Sequence, residues 1–181
     1  MDRAAHEADA PALIIRAREP EDAAGMSALM GAAGTFEGTL QLPDMPVASR
    51  TEYLGKVETG ACNLVAVADS RIVGCAGLHS NGGSMRRAHT RSLGIGIAAE
   101  WQGRGVGRQL IARLLDWADN WAGVLRVELM VHADNDRAQA LYRSMGFVEE
   151  GRMRSYALKN GRYVDAIAMA RLHPAPPALG A

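Results

Sequence analysis

The chain has two cysteines in 181 residues, no long apolar run and no net charge, and each shortage excludes a class of protein. Cys62 and Cys75 cannot supply a disulfide framework or the ligand set of a structural zinc site. They read instead as two buried free thiols. The longest unbroken apolar stretches run to about five residues, as in Leu64 to Ala68, against about 20 for a membrane-spanning helix. Met1 to Pro11 carries Asp2, Arg3, His6, Glu7 and Asp9, so it lacks the apolar stretch of a secretory signal. Twenty basic residues balance twenty acidic ones, whereas a dedicated nucleic-acid or polybasic membrane binder is lopsided. What remains is a cytoplasmic, metal-free protein with one domain and neither nucleic acid nor membrane as partner. Its composition, 48% hydrophobic and 22% charged, is that of an ordinary globular chain.

Periodicity divides the chain into alternating elements. Residues 1–12 and the proline-rich tail 173–181 read as disordered, and the domain as 13–172. Leu13 to Ala17 reads as a strand, and Glu19 to Met30 as a helix with Pro20 in its first turn. Gly31 to Pro46 holds three glycines and two prolines, the composition of a loop. Val47 to Glu58 is a weaker helix. Asn63 to Ala68 and Ile72 to Leu78 form a hairpin around Asp69-Ser70-Arg71, and a further strand runs from His89 to Ile97. Gly105 to Trp121 is the clearest helix, with Val106, Leu110, Ile111, Leu114, Ala118 and Trp121 along its apolar face. Val124 to Val131 alternates as a half-buried strand should. Asn135 to Met145 is a short helix ended by Gly146. Phe147 to Leu158 and Tyr163 to Leu172 form a last hairpin closed by Asn160-Gly161, a type I′ signal. The order β-α-α-β-β-β-α-β-α-β-β describes an α/β (α+β) fold, a mixed central sheet flanked by helices.

Gln102-Gly103-Arg104-Gly105-Val106-Gly107 stands at a strand-to-helix junction. Each glycine in a helix's opening turn costs roughly 1 kcal/mol against alanine, so something must offset them. A helix start exposes unpaired N–H groups and a partial positive charge, and glycine lets a bulky anion approach that backbone. A pyrophosphate is the natural guest, with Arg104 and Arg108 as further counter-charges. The bland alternative is that the glycines fit a tight helix–sheet contact. Gly94-Ile95-Gly96-Ile97-Ala98-Ala99 also fits a loose dinucleotide pattern, but it lies within a strand and opens no helix. The chain has no Gly-Lys-Ser/Thr for a P-loop.

The glycine motif, Arg/Gln-x-x-Gly-x-Gly/Ala between strand and helix, resembles the acyl-coenzyme A signature of the GNAT N-acetyltransferase superfamily. Asn135-x-x-Ala138-x-x-Leu141-Tyr142-x-x-x-Gly146-Phe147 resembles that superfamily's second block. The likeness covers roughly residues 13–172. More narrowly, Thr39-Leu-Gln-Leu-Pro43, Asp119-Asn-Trp121, Arg126-Val-Glu-Leu129 and Tyr156-Ala-Leu-Lys-Asn-Gly161 resemble bacterial small-molecule members that acylate free L-amino acids.

The resemblance implies a GNAT-like, splayed sheet and acetyl-CoA as cosubstrate, with no metal. Ile95, Gly96 and Ile97 would bond the pantetheine arm through their backbone, and an N–H near Ile97 would polarise the thioester carbonyl. Gly103, Arg104, Gly105, Val106, Gly107 and Arg108 would wrap the pyrophosphate. Asn135 would lie against pantetheine, and Tyr142, two helical turns on, beside the sulfur as general acid. The alternative for Tyr142 is a core aromatic with a satisfied hydroxyl. The acceptor would be a primary amine of a small molecule, possible contacts being Phe36, Glu37, Gln41 and Ser92. Where relatives carry an acid as base, this chain has Ser92 or Met130. Ordered water near Ser92 is the leading candidate, ahead of His132, His89 and Glu128. The rival functions are protein N-terminal or lysine acetylation and a non-catalytic coenzyme A sensor. Exposed sheet edges leave room for a homodimer.

Overall fold

The computed structural model describes residues 12–42, 44–56, 59–81 and 84–178. Its elements follow the expected order: β1 (Ile14–Ala17), α1 (Ala23–Gly31), α2 (Val47–Gly55), β2 (Cys62–Ala68), β3 (Arg71–Ser80), β4 (Thr90–Ile97), α3 (Val106–Asn120), β5 (Arg126–His132), α4 (Asp136–Ser144), β6 (Val148–Lys159) and β7 (Arg162–Leu172). The strands make one seven-stranded sheet in the order β1-β2-β3-β4-β5-β7-β6. Every neighbouring pair is antiparallel except β4 with β5. Of the expected disorder at 1–12, all but Ala12 lies outside the described residues. At the other end His173 is tied down: its N–H donates to the Leu125 carbonyl at 2.9 Å.

Strand alternation sorts side chains onto two faces. Leu64, Ala66, Ala76, Leu78 and Leu93 face one core, shared with α3 and with Tyr142 and Phe147. Val65 and Cys75 face the other, against Met26 and Leu29 of α1. Helix α3 is held by its apolar stripe; Leu110, Ile111 and Leu114 have no exposed surface. Each such side chain contributes roughly 1.5–3 kcal/mol by leaving water, so Leu114→Ala alone would remove about 2–5 kcal/mol. Trp121 does not belong to that stripe, as the periodicity suggested, but is 79% exposed. The helix stops at Asn120, and Trp121 as C-cap takes φ −128°, which rotates its side chain out of register.

The expected helix from Glu19 begins instead with a 3-10 turn, Pro20–Asp22. Asp22 causes the tighter turn: its carboxylate accepts the Glu19 N–H at 2.8 Å and two bonds from the Arg16 guanidinium at 2.6 and 2.8 Å. A further 3-10 turn, Phe36–Gly38, interrupts the expected loop. The closing hairpin turns at Asn160 and Gly161 with φ of 50° and 75°, as a type I′ turn requires. Among the described residues no helix is long and apolar enough to cross a membrane.

Candidate active site

Strands β4 and β5 pair only at their beginning, through Thr90 with Arg126, Arg91 with Val127 and Ser92 with Glu128. Beyond Ser92 they share no register pair, so the sheet opens as a wedge. Antiparallel pairing alternates in direction, and the Ala98 N–H bonds the Val73 carbonyl on β3 at 2.9 Å. The main-chain groups of Gly94 and Gly96 therefore also turn to β3, and those of Ile95 and Ile97 turn into the wedge. The Ile97 carbonyl accepts bonds from Thr35 Oγ1 at 3.3 Å and Gln102 Nε2 at 3.1 Å, which holds the loop after α1 across the end of β4. Sequence reasoning gave Thr35 no role.

A cleft of about 510 Å³ fills the wedge and extends to the start of α3. Of the expected site residues, Glu37, Ile95, Gly96, Ile97, Asn135 and Tyr142 line it, as do Gly103, Gly105, Gly107 and Arg108. Arg104 is not among them; its guanidinium lies over the Trp101 ring, 5.2 Å from the centroid. Val106 is 1% exposed and belongs to the core, so only its main chain remains for a ligand. The three loop glycines divide between the two explanations. Gly103 and Gly105 have φ of +77° and +82°, and a Cβ on either would meet nothing within 4 Å. They are needed for a left-handed backbone beside open space. At Gly107 a Cβ would come within 3.2 Å of Leu141 Cδ2, so there the packing explanation holds.

Helix α4 begins at Asn135, whose side-chain oxygen caps the Ala138 N–H at 3.1 Å. Two turns on, Tyr142 is 7% exposed, its ring 5.8 Å from that of Phe147. Burial pushes the phenol up to about 12. It therefore keeps its proton throughout the neutral range.

The candidate bases separate clearly. Glu128 is pulled in opposite directions: burial raises it, but bonds from Arg126 at 2.9 Å and Arg87 at 2.7 Å hold its carboxyl below the ordinary range. Ser92 lines neither this cleft nor the one on the far side of β4; its hydroxyl bonds Asn81, which also donates to Glu128. His89 is exposed and Met130 is 40% exposed, and neither lines either of these two clefts. Of these five residues His132 alone lines the wedge, 6% exposed, with no partner among the described residues for its buried Nδ1.

A second cleft, about 390 Å³, lies on the α1 side of β4 and shares Gly38, Thr39, Ile95 and Gly96 with the first. Gln41 lines it, whereas Phe36 lines neither. Its other walls come from residues that no motif marked, among them Arg18, Asn63, Gly77 and His79. Of the two thiols expected to be buried, Cys75 is buried in this wall and Cys62 is only half-buried.

Residues 34–147 match the acetyltransferase (GNAT) family. The L-amino acid N-acetyltransferase AaaT of Escherichia coli is 34% identical over 160 residues, which covers 88% of this chain and 98% of that one. The Vibrio cholerae spermidine N-acetyltransferase, solved with CoA and spermine, superposes with a TM-score of 0.77 at 27% identity, over 89% of this chain and 95% of that one. The Salmonella typhimurium protein yncA, solved with acetyl-CoA, shares the fold with a TM-score of 0.79 at 20% identity, over 94% and 99% of the two chains. This chain belongs to the GNAT acetyltransferase family, whose members use acetyl-CoA, and is an acyl-CoA-dependent N-acetyltransferase.

Proposed function

We propose that the protein moves the acetyl group of acetyl-CoA to the primary amine of a small molecule, a free L-amino acid, by direct attack. The observation that carries this reading is the opening of the sheet beyond Ser92. It turns the main-chain groups of Ile95 and Ile97 into a cleft that also holds the glycine turn and Tyr142. An extended pantetheine arm supplies the strand-like partner those groups need, with the Asn135 amide beside it. Main-chain N–H groups of Gly103 to Arg108 face the pyrophosphate, where Gly105 and Gly103 keep side chains out of its way. Arg108 adds charge from the rim.

Chemistry then takes place where the two clefts meet, at Ile95 and Gly96. The neutral amine enters from the α1 side and attacks the thioester carbonyl. A C–N bond forms, the C–S bond breaks, and the carbonyl oxygen is polarised by the Ile97 N–H. Tyr142 donates its O–H to the departing sulfur. A phenol at about 12 lies ~3 pK units above a thiol at ~8.5, so its main contribution is a hydrogen bond to the developing thiolate. The amine's surplus proton leaves through water in the cleft, since the Glu128 carboxylate is engaged by two arginines.

Support for a small acceptor comes from the full-length likeness to an L-amino acid N-acetyltransferase. The deciding experiment incubates the protein with acetyl-CoA and a panel of free amino acids, polyamines, aminoglycosides and peptides. Thiol release and acetylated product are then measured. Product from a free amino acid is the expected result. Product from peptides alone would move the protein to the N-terminal or lysine acetyltransferases, and none from any amine of the panel would overturn the small-amine reading.

A further inference from the structure

The second cleft has three chemically different sides. Its floor is main chain: Gly77 and Gly94 face each other across β3 and β4, and Gly96 follows. A Cβ at Gly77 would lie 2.3 Å from Asn63 Oδ1, and one at Gly96 would lie 2.7 Å from Met30 Sδ. Those two places are already filled by the Asn63 and Met30 side chains, whereas a Cβ at Gly94 would meet nothing nearer than His79 Nε2 at 3.9 Å, so a ligand can approach the sheet at Gly94, next to the wedge. One wall is apolar and built from Met26, Met30 and Cys75. Cys75 Sγ contacts Met30 Sδ at 3.9 Å, and burial pushes its thiol up to about 11, so this wall is neutral. Thioethers fill irregular space and accept side chains of varied shape.

The opposite side carries positive charge. Arg18 follows β1, anchored by its N–H to the Asn63 carbonyl at 2.9 Å, and one guanidinium nitrogen donates to the Lys56 carbonyl at 3.1 Å. Its guanidinium is half-buried and permanently charged. No aspartate or glutamate is among the described residues that line this cleft. Lys56 is 69% exposed and pairs with Glu52 at 3.6 Å, so Arg18 is the better placed of the two cations. A guanidinium at the edge of a pocket without carboxylates suits an anion, and its planar fork suits a carboxylate best.

We propose that Arg18 reads the carboxylate of an α-amino acid whose uncharged side chain rests against Met26, Met30 and Cys75, with its amine directed over Gly94 and past Ile95 to the wedge. This rests on the acetyl transfer proposed above and narrows its substrate to neutral, apolar amino acids. Polyamines are disfavoured because a second ammonium would meet Arg18. Acidic amino acids are disfavoured because a second carboxylate would meet an apolar wall.

The test compares L-leucine with 3-methylbutylamine, its counterpart lacking the carboxylate, and with spermidine and glutamate. It uses the full chain, with kcat/KM measured from thiol release. With each rate referred to the neutral-amine fraction of its substrate, leucine should exceed 3-methylbutylamine by about tenfold or more, and that ratio should collapse in Arg18→Gln and partly recover in Arg18→Lys. Equal use of leucine and 3-methylbutylamine by the unaltered protein overturns the proposal, with no variant needed. So does acetylation of spermidine or 3-methylbutylamine without leucine, an outcome that leaves acetyl transfer standing. Calorimetric titration of leucine into the CoA-saturated protein separates the remaining case. Leucine binding that Arg18→Gln abolishes, without thiol release, supports the Arg18 assignment while the transfer reading falls. Absence of both binding and turnover with leucine overturns the assignment.

Discussion

On the α3 side of β4 the cleft offers a run of open main chain: two left-handed glycines, the turned-out groups of Ile95 and Ile97, and the capped start of α4. On the α1 side the walls are side chains, contributed by β2, β3, α1 and the segment after β1. The two halves meet at Ile95 and Gly96 of β4 and at Gly38 and Thr39 of the loop after α1. A main-chain site binds what all members of a family have in common, because peptide groups are the same in every sequence. A side-chain site can change its ligand with one substitution. The division separates donor from acceptor recognition, and substitutions can test how complete it is.

The largest expected effect lies on the donor side. Tyr142→Phe removes one hydroxyl from a buried ring and should lower kcat about 10²-fold, the low end for a group acting on a leaving atom, with acetyl-CoA KM little changed. An unaltered kcat would return Tyr142 to the core as a packing residue. The burial that holds the phenol up at about 12 has its own consequence: activity should show no falling limb below pH 10. Its rising limb should follow the pKa of the acceptor amine, through about pH 7–9 for amino acids. A limb near pH 6–7 that ignores the amine and disappears in His132→Gln would give the proton to that imidazole instead.

A matched pair of glycine substitutions probes the division directly. Gly105→Ala puts a Cβ into the open cleft at φ +82° and should raise the acetyl-CoA KM about tenfold, with about 1–2 kcal/mol of backbone strain. Gly77→Ala pushes aside Asn63 and His79 and should raise the amine KM instead, through a wall that the donor does not touch. Steady-state kinetics with each substrate varied in turn would reveal crossed effects. If either variant raised both KM values alike, the two halves would be one coupled site.

The smallest expected effect concerns the scaffold of the acceptor side. Asp22 joins Arg16 of β1 to the turn before α1, and Asp22→Asn should cost about 1 kcal/mol, allowing for the partial exposure of Arg16. Bonds from Arg16 first, and the Glu19 N–H after it, outweigh burial and hold this carboxyl below its ordinary value. Its folded value is thus below the unfolded one. The stabilisation is complete above the ordinary carboxylate range and is lost as pH falls through the folded value. Denaturant titrations at pH 7 and pH 3 should differ by less in Asp22→Asn than in the unaltered protein.

Local pattern alone was enough for the element order, the glycine turn and the pairing of Asn135 with Tyr142, because each depends on residues within one or two turns of chain. Helical spacing puts Asn135 and Tyr142 on one face whatever surrounds them. Pattern misled where a helix end or a capping carboxylate took over. Trp121 kept the apolar spacing but fell one residue past the end of its helix, and Glu19 lost its helical start to the carboxylate of Asp22. Only the tertiary structure decided that β4 and β5 part after Ser92, since strand pairing is a property of two segments about 35 residues apart in the chain. It alone drew Ser92 into bonds with Asn81 and away from both clefts, and turned Arg104 onto Trp101. The acceptor cleft was illegible for the same reason. Arg18, Met30, Asn63 and Gly77 come from four separate stretches of the chain, and nothing in their local sequence records that folding brings them round one cleft.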